Sequence, residues 1–388
     1  SKEFFADRAS LLAVDLGIDE KYKQVLQKYI KFFASKDRTQ KFYDLEIERF
    51  NQRIIETALM SVLCKSKVVS FEEVVRTVIT AGDLEDNRYL QEFEKYDLLG
   101  AFWQMCEETF GGNFSSPSLV KLVNTMFTTY TSKVVMSELP SAWRNYCSHK
   151  SGNIIAFLDS LMNSMIYRGD FDDLSDMVYS TLDGETVLSS VDISQLIELE
   201  IFKKTDVFIL KWMIDRLEHD DLDARLNDYS IVDICKKRRK MHFKDVFSSH
   251  YYILENAYYL LKEARYKPAE ELEEITKNYI TKDYIIDQKY RYFYYHYDNV
   301  PDSSIYENLR ELVENVYTNR FLNPLAVSFS RALCENKTKI SLTSQQDFYS
   351  RFVKNSKERT VVIISDAFRY EVEQTLLKRL MEDEKCTA

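Results

Sequence analysis

Residues 361–371 read VVIISDAFRYE, and this stretch indicates the fold class at the C-terminal end of the chain. The four β-branched, apolar residues at 361–364 predict a buried strand, because β-branched side chains favour extended backbone. A polar turn follows, and the remaining residues have the spacing of an amphipathic helix. Strand, sharp turn and helix are together typical of the first βα unit of an α/β domain.

The chain ends about one helix after this predicted strand. A parallel strand has to be paired along its edges and covered on both faces, and one βα unit can do neither alone. We therefore expect the chain to be a fragment of a longer protein, in which residues 356–388 are the start of a truncated α/β domain.

Glycine and proline are scarce, with 8 Gly and 5 Pro among 388 residues. Both residues mark turns, so their scarcity predicts long helices joined by short loops. We expect residues 1–355 to form a helical region, with lobe breaks near 112–116 and 183–190. The predicted fold class is mainly α, an irregular multi-helix array with a C-terminal βα unit.

Apolar spacing and capping residues predict where several helices begin and end. We expect a helix over 4–16 closed by Gly17, since glycine readily adopts the left-handed backbone that ends helices. One long helix is expected over 37–64, and another follows the N-cap Ser70. Residues 241–335 have a nearly continuous helical pattern. We expect it to break at Lys267-Pro268, Val300-Pro301 and Asn323-Pro324, where proline would open the next helix.

Charge and cysteine usage argue against several functional classes. A formal net charge of −10 disfavours general binding to DNA or RNA, which relies on Lys and Arg to neutralise phosphates. The six cysteines are scattered without a CxxC pair, which is typical of a reducing compartment and argues against a structural zinc site. No apolar run approaches the length of a membrane span. We expect a cytoplasmic protein that does not cross a membrane.

Two local clusters each allow a functional and a structural interpretation. The basic run KKRRK at 236–240 could bind nucleic acid or an anionic partner, but a solvated helix face is favoured in an acidic chain. The aromatic run YRYFYYHY at 290–297 could stack bases, but burial between neighbouring helices is favoured, because these residues point all round a helix. The five histidines have no paired-ligand spacing and predict no metal site.

Asp366 stands just past the predicted strand, where α/β proteins collect ligands and catalytic groups. A carboxylate at that point can bind a divalent cation. The alternative is that Asp366 caps the N-terminus of the following helix. From the residues alone the cap is favoured, since a lone carboxylate is not a metal site.

Residues 361–371 resemble the opening motif of the PglZ family, which belongs to the alkaline phosphatase superfamily. Two upstream stretches, FADRASLLA at 5–13 and QQDFY at 345–349, are similar to the long region that precedes the phosphatase domain in that family. The resemblance spans the whole chain, and the motif at 361–371 is its most specific part. Members of this family belong to the BREX and phage-growth-limitation defence systems of bacteria.

The resemblance implies roles for residues of the motif. Asp366 would be a ligand of the superfamily's bimetal centre, which holds two divalent cations, usually zinc, and this reverses the preference for the cap. Arg369, Tyr370 and Glu371 share the motif without an established role. Arg369 could contact a phosphoryl oxygen or orient the site. The alternative for these residues is a helix-start salt bridge and a packed tyrosine, which is favoured.

The other groups of the superfamily's reaction centre cannot be placed on this chain. They are a Ser or Thr nucleophile and further Asp and His ligands from later strands, which we expect beyond Ala388. Thr387 lies in the wrong context to be the nucleophile. We therefore assign no catalytic residue here, and we expect this chain alone to be inactive and to bind no metal tightly.

Two functions are expected for the full-length protein. The first, which the resemblance implies, is a metal-dependent phosphatase or phosphodiesterase of an anti-phage system, with a phosphate ester or a nucleic acid as its substrate and other proteins of the defence system as its partners. The alternative is a non-catalytic helical scaffold that docks those partner proteins. The scaffold is considered because the helical region is large, acidic and aromatic-rich and lacks a catalytic constellation.

Overall fold

The computed structural model describes residues 2–112, 115–335 and 343–383, and it confirms the mainly α fold class. The chain divides into two compact units, Ser1–Thr205 and Asp206–Ala388. Both expected lobe breaks lie inside the first unit, and the expected start of the α/β domain at residue 356 lies inside the second. Residues 384–388, which include Thr387, lie outside the described residues.

The first unit is a stack of helices whose buried faces carry mainly Phe, Leu, Val and Ile. Helix α1 is followed by Gly17 at φ +64°, which confirms the predicted glycine stop. The helices are α1 (Lys2–Asp15), α2 (Lys23–Lys28), α3 (Lys36–Tyr43), α4 (Gln52–Leu63), α5 (Phe71–Ile79), α6 (Arg88–Lys95), α7 (Leu99–Phe110), α8 (Leu119–Val134), α9 (Ser141–Arg144), α10 (Ser151–Met162), α11 (Arg168–Thr181), α12 (Gly184–Ser189) and α13 (Ile193–Leu196), with 3-10 turns at Glu20–Tyr22 and Phe32–Ala34.

The predicted continuous helix over 37–64 is wrong, because α3 and α4 are separate helices. Between them, Glu46 adopts a φ of +47°, which a right-handed helix does not allow. The side chain of Asn51 then caps α4 by accepting a hydrogen bond from the backbone amide of Ile54 at 2.8 Å. Apolar residues on both sides of the break keep near-helical spacing, so the spacing alone did not reveal it. The cap at Ser70 is confirmed, since its hydroxyl accepts from the Glu73 amide.

The second unit combines long helices with one short hairpin. Helix α16 packs along α18. Within the described ranges, no helix combines the length and the apolar character that crossing a membrane requires. The elements are α14 (Lys203–Glu218, which begins at the end of the first unit), β1 (Arg225–Leu226), β2 (Tyr229–Ser230), α15 (Ile231–Arg238), α16 (Lys244–Glu263), α17 (Leu272–Asn278), α18 (Tyr284–Asn299), α19 (Glu307–Val316), α20 (Asn323–Glu335) and α21 (Tyr370–Met381), with 3-10 turns at Ser304–Tyr306 and Gln345–Asp347 and π-helices at Tyr279–Asp283, Tyr317–Leu322 and Tyr349–Val353.

The hairpin pairs β1 and β2 antiparallel, with Leu226 opposite Tyr229. Asn227 makes the turn at φ +54°, a conformation that asparagine tolerates better than most residues. A capping box then starts α15: Ser230 Oγ accepts from the Asp233 amide at 3.2 Å, and the Asp233 carboxylate accepts from the Ser230 amide at 3.1 Å.

Helix α20 begins at the predicted step Asn323-Pro324, but the helical run is not interrupted there, contrary to the prediction. Helix α19, the π-helix Tyr317–Leu322 and α20 follow one another without a gap. A proline cannot donate to the carbonyl four residues earlier, and its ring crowds that carbonyl. The carbonyl concerned, of Arg320, accepts instead from the backbone amide of Tyr266 at 2.8 Å. The wider π turn and this outside donor let the chain pass Pro324. The other two predicted breaks, at Lys267-Pro268 and Val300-Pro301, are confirmed as loops.

The predicted strand at 361–364 is not formed. Residues 359–365 have no regular secondary structure, and Val361, Ile363 and Ile364 are strongly exposed, up to 91% for Ile364. A strand needs neighbouring backbone to complete its hydrogen bonds. Among the described residues, strand pairing occurs only between β1 and β2. The helix after the motif does form, as α21, and it packs on α18.

Candidate functional site

Asp366 lies in an exposed turn before α21, and its carboxylate faces solvent. Its Oδ1 accepts a hydrogen bond from the backbone amide of Ala367 at 2.9 Å, and Ala367 itself adopts a φ of +55°. The N-cap position of α21 is occupied by Arg369, without a side-chain cap. The alternative interpretation, in which Asp366 caps this helix, is therefore wrong. The turn instead leaves most of this carboxylate available to a ligand.

Glu371, at the start of α21, is buried, with 1% of its surface exposed. Both of its carboxylate oxygens accept from Nε of Arg291 on α18, at 2.8 and 2.9 Å. Burial lowers the pKa of Arg291, but the hydrogen bond and the charge of Glu371 outweigh this and raise the pKa overall. The pair joins the motif helix to α18 by a charge-assisted hydrogen bond.

Tyr370 is the second anchor of α21. Its hydroxyl donates to the carbonyl oxygen of Ile280, inside the π-helix Tyr279–Asp283, at 3.0 Å. Its ring meets the ring of Tyr284 edge-on, with centroids 5.5 Å apart. One turn further along α21, the hydroxyl of Thr375 accepts from the amide nitrogen of Gln288 at 2.9 Å. Tyr370 and Glu371 are therefore packing and ion-pair residues in this structure.

Arg369 is exposed, and its guanidinium makes no hydrogen bond or ion pair with the described residues. It lies near the phenols of Tyr279 and Tyr317: burial raises the pKa of both, and the charge of Arg369 opposes part of that rise. The motif is thus split in two. Asp366 and Arg369 are accessible, whereas Tyr370 and Glu371 hold the helix in place.

Asp287 on α18 bonds to the π-helix that holds Tyr370. Its carboxylate accepts from the hydroxyl of Tyr279 at 2.5 Å and from the hydroxyl of Tyr317 at 2.8 Å. Tyr279 and Tyr317 each begin a π-helix, so one carboxylate joins the two irregular turns. Such π turns often occur at functional sites. Here the first of them, Tyr279–Asp283, contacts α21 through Tyr370.

The aromatic run at 290–297 is explained by packing. The hydroxyls of Tyr290 and Tyr294 both donate to the carboxylate of Glu314, at 2.6 and 2.8 Å. The ring of Tyr290 also stacks on that of Tyr317, with centroids 3.7 Å apart, and Phe293 is buried. These contacts agree with the favoured interpretation of burial between helices.

The basic run at 236–240 is partly structural. Arg238 is buried, and it donates to both carboxylate oxygens of Asp206, at 2.8 and 2.7 Å. Tyr251 donates to the same carboxylate at 2.5 Å. Arg239 pairs with Glu255. Sequence reasoning could not assign these partners, because they lie on other helices.

Three lysines of the run, Lys236, Lys237 and Lys240, line a cavity of about 730 Å³. Asp228 and Asp233 line the same cavity, which reduces its positive charge. This mixed lining agrees with the favoured interpretation of a solvated helix face.

Among the described residues, no group of three or more His, Cys, Asp and Glu side chains could hold a metal ion. Zinc sites use three or four protein ligands, and the turn at Asp366 supplies one carboxylate. The described residues therefore do not form a complete metal centre on their own. The metal role of Asp366 stays a prediction. Sequence reasoning missed Asp287, Arg291 and Glu314, although Asp287 and Arg291 stand four residues apart on one helix.

Two curated proteins are similar to the chain over its full length. The "Alkaline phosphatase-like protein PglZ" of Bacillus cereus strain H3081.97 is 30% identical over 402 residues, and the match covers 46% of that protein. The "Alkaline phosphatase-like protein BrxZ" of Escherichia coli O9:H4 strain HS is 23% identical over 419 residues, and the match covers 48% of it.

The chain thus spans about half the length of the curated relatives it matches. No family model matches it, and no solved structure matches it. Because both relatives align with all of this sequence, the similarity includes the helical region as well as the motif at 361–371. The chain belongs to the family of the alkaline phosphatase-like proteins PglZ and BrxZ.

Proposed function

We propose that the full-length protein is a metal-dependent phosphatase or phosphodiesterase of a BREX-type bacterial defence system, working in the cytoplasm with other proteins of that system. The observation that carries this proposal is the similarity of the entire chain to two alkaline phosphatase-like proteins. The five cysteines described in the structure are all free, which supports a reducing compartment.

Asp366 is the residue that we assign to the metal centre. It belongs to the motif that resembles the family's opening motif, it is exposed, and among the described residues its carboxylate bonds only to the adjacent amide. Two divalent cations, usually zinc, would supply charge stabilisation to the attacking and leaving oxygens of a phosphoryl transfer. In this chain, α21 and its anchors Tyr370 and Glu371 hold the end of the turn that carries Asp366. The substrate is a phosphate ester or a nucleic acid.

The test compares full-length protein with its Asp366→Asn variant in zinc content and in hydrolysis of bis-p-nitrophenyl phosphate. Removing a metal ligand is expected to lower the rate by about 100-fold or more, as loss of a group that stabilises transition-state charge does. Asp347→Asn is the matched control, because Asp347 is an exposed carboxylate of the same unit. Unchanged zinc content and rate in Asp366→Asn would exclude the assignment.

The second candidate function is a scaffold that docks other proteins of the defence system. It is favoured by the acidic groove of the first unit described below, which lies on helices without a catalytic constellation. Expression of full-length Asp366→Asn in cells that lack the natural protein separates the two functions. Loss of phage resistance supports the enzyme, whereas full resistance together with lost hydrolysis supports the scaffold.

A further inference from the structure

Two adjoining cavities of about 420 and 680 Å³ form a groove in the first unit. Its lining comes from the loop between α5 and α6, from α6 and α7, from the beginning of α8, from one face of α11 and from Tyr146. Leu84, Glu85, Val120 and Thr181 line both cavities, so the two are continuous. Gly82, which turns the loop at φ +96°, also lines the groove, in the smaller cavity.

The groove is strongly acidic. Among the described residues that line the two cavities, six are carboxylates and one is a lysine: Asp83, Glu85, Asp86, Glu94, Asp170 and Asp173, against Lys121. The ammonium of Lys121 donates to the carbonyl of Ser116 at 2.7 Å. The groove therefore carries an excess of negative charge.

Two of these carboxylates are hydrogen-bonded, one within the loop and one to α6. Asp83 accepts from the backbone amides of Glu85 and Asp86, at 2.8 and 2.9 Å, and Asp86 accepts from Gln91.

The other four groove carboxylates make no hydrogen bond or ion pair through the side chain with the described residues: Glu85, Glu94, Asp170 and Asp173. Burial raises the pKa of Asp170, and the charge of Asp173 adds to the rise, as expected where no cation compensates the pair.

Asn124 on α8 provides an independent indication of a ligand. It lines the larger cavity with 1% of its surface exposed, and its amide oxygen is buried without a hydrogen-bond partner among the described residues. Buried polar groups in folded proteins are nearly always paired, so this acceptor lacks a donor that a ligand can supply. The half-buried rings of Trp103 and Tyr146 line the same cavity.

We propose that this groove binds an arginine-bearing segment of a partner protein. A guanidinium offers five N–H donors in one plane, pairs with carboxylates and stacks on aromatic rings. These properties match the unpaired carboxylates, the amide oxygen of Asn124 and the ring of Trp103. Nucleic acid does not fit, because its phosphates would be repelled by the acidic lining.

The proposal rests on the docking function proposed above and names the chemistry of its partner. It does not depend on the phosphatase function, because the groove residues lie between 79 and 181 and do not include Asp366. Hydrolysis by the full-length groove variants is measured in parallel. A variant that loses peptide binding but keeps normal hydrolysis then tests the groove independently of the phosphatase function.

The experiment is isothermal titration of the 388-residue protein with a capped peptide carrying two arginines, and with the same peptide carrying citrulline. Citrulline keeps the shape of arginine and removes its charge. In the double variant Asp170→Asn, Asp173→Asn, the affinity for the arginine peptide is expected to fall about tenfold, from the loss of two ion pairs. Asn124→Leu is expected to lower it about threefold or more while leaving the protein folded, since the amide oxygen has no partner to lose in the part of the chain that the structure describes.

The matched control is Glu46→Gln, Glu48→Gln, which removes the same charge from exposed residues outside both cavities. Affinity close to that of the natural sequence is expected for this control. The proposal is overturned if the citrulline peptide binds equally well, if the groove variants bind like the control, or if no binding occurs at millimolar peptide. Displacement of the peptide by single-stranded RNA, with equal loss of RNA binding in the groove variants, would also overturn it.

Discussion

Nε of Arg291 lies 2.8 and 2.9 Å from the two carboxylate oxygens of Glu371, although the two residues are 80 positions apart in the sequence. Glu371 belongs to the motif that defines the resemblance to the family, and Arg291 belongs to the helical region that precedes this motif. The pair shows that the motif helix is held by the preceding helices. A motif residue without an assigned role thus has a structural partner.

We expect Glu371→Gln to loosen α21 from α18. The variant removes the charge of a buried carboxylate and weakens the bond to Arg291, at a cost of about 1–2 kcal/mol, because Arg291 is itself partly exposed. Amide hydrogen exchange over 370–381 should become faster. Glu373→Gln, at an exposed position of the same helix, is the control. Equal protection of α21 in both variants would show that the ion pair does not anchor the helix.

We expect Asp206→Asn to destabilise the protein strongly. Asp206 is the partner of the buried Arg238 and accepts a further hydrogen bond from Tyr251. Removing one member of a buried ion pair leaves an uncompensated charge and costs about 3–5 kcal/mol. Urea unfolding followed by circular dichroism measures the change.

Tyr251→Phe is the milder variant with which Asp206→Asn is compared. It removes one hydroxyl and leaves the Asp206–Arg238 pair intact, so a loss of about 1–2 kcal/mol is expected. If Asp206→Asn is no more destabilising than Tyr251→Phe, the Asp206–Arg238 pair contributes less to the free energy of unfolding than its burial indicates.

We expect stability to fall as the pH drops from 7 to 5, with a contribution from His250. Burial lowers the pKa of His250, against a smaller opposing effect of Asp206, and the ring shares a hydrogen bond of 2.8 Å with the hydroxyl of Tyr306. Between the lowered folded pKa and the usual unfolded value, the unfolded chain binds more protons. The stabilising contribution is therefore present above the unfolded pKa and is lost as the pH falls through the folded one.

The measurement is the free energy of unfolding at several pH values for the natural sequence and for His250→Gln. The variant should have a flatter dependence on pH. His219→Gln is the control, because the ring of His219 is exposed. A slope that is identical in His250→Gln and the natural sequence would contradict the assignment.

We expect the amides of 360–366 to exchange rapidly in this chain. The segment has no regular structure, and its apolar side chains are exposed. In full-length protein the same amides should be protected by at least about 100-fold, if further strands pair with 361–364 as the α/β interpretation requires. Amides of α21 serve as the internal reference. Rapid exchange of 360–366 in the full-length protein as well would rule out the strand.

A feature of the fold could be predicted from the sequence where the residues that cause it are adjacent in the chain. Gly17 and Ser70 mark helix ends through their own backbone or side chain, so they could be predicted directly. The break at Glu46 and the passage through Pro324 could not. The first has no glycine or proline to mark it, and the second depends on the amide of Tyr266, 54 positions before Arg320.

By itself, the amino-acid sequence determined the mainly α fold class, the position of α21 and the similarity to alkaline phosphatase-like proteins. Composition, helical periodicity and a contiguous motif are properties of neighbouring residues. Only the tertiary structure decided which charged residues are paired, as for Arg238 and Glu371, and which carboxylates remain accessible, as for Asp366. It also decided that 361–364 stays unpaired. Pairing and burial are set by segments far away in the sequence, and local preference cannot specify them.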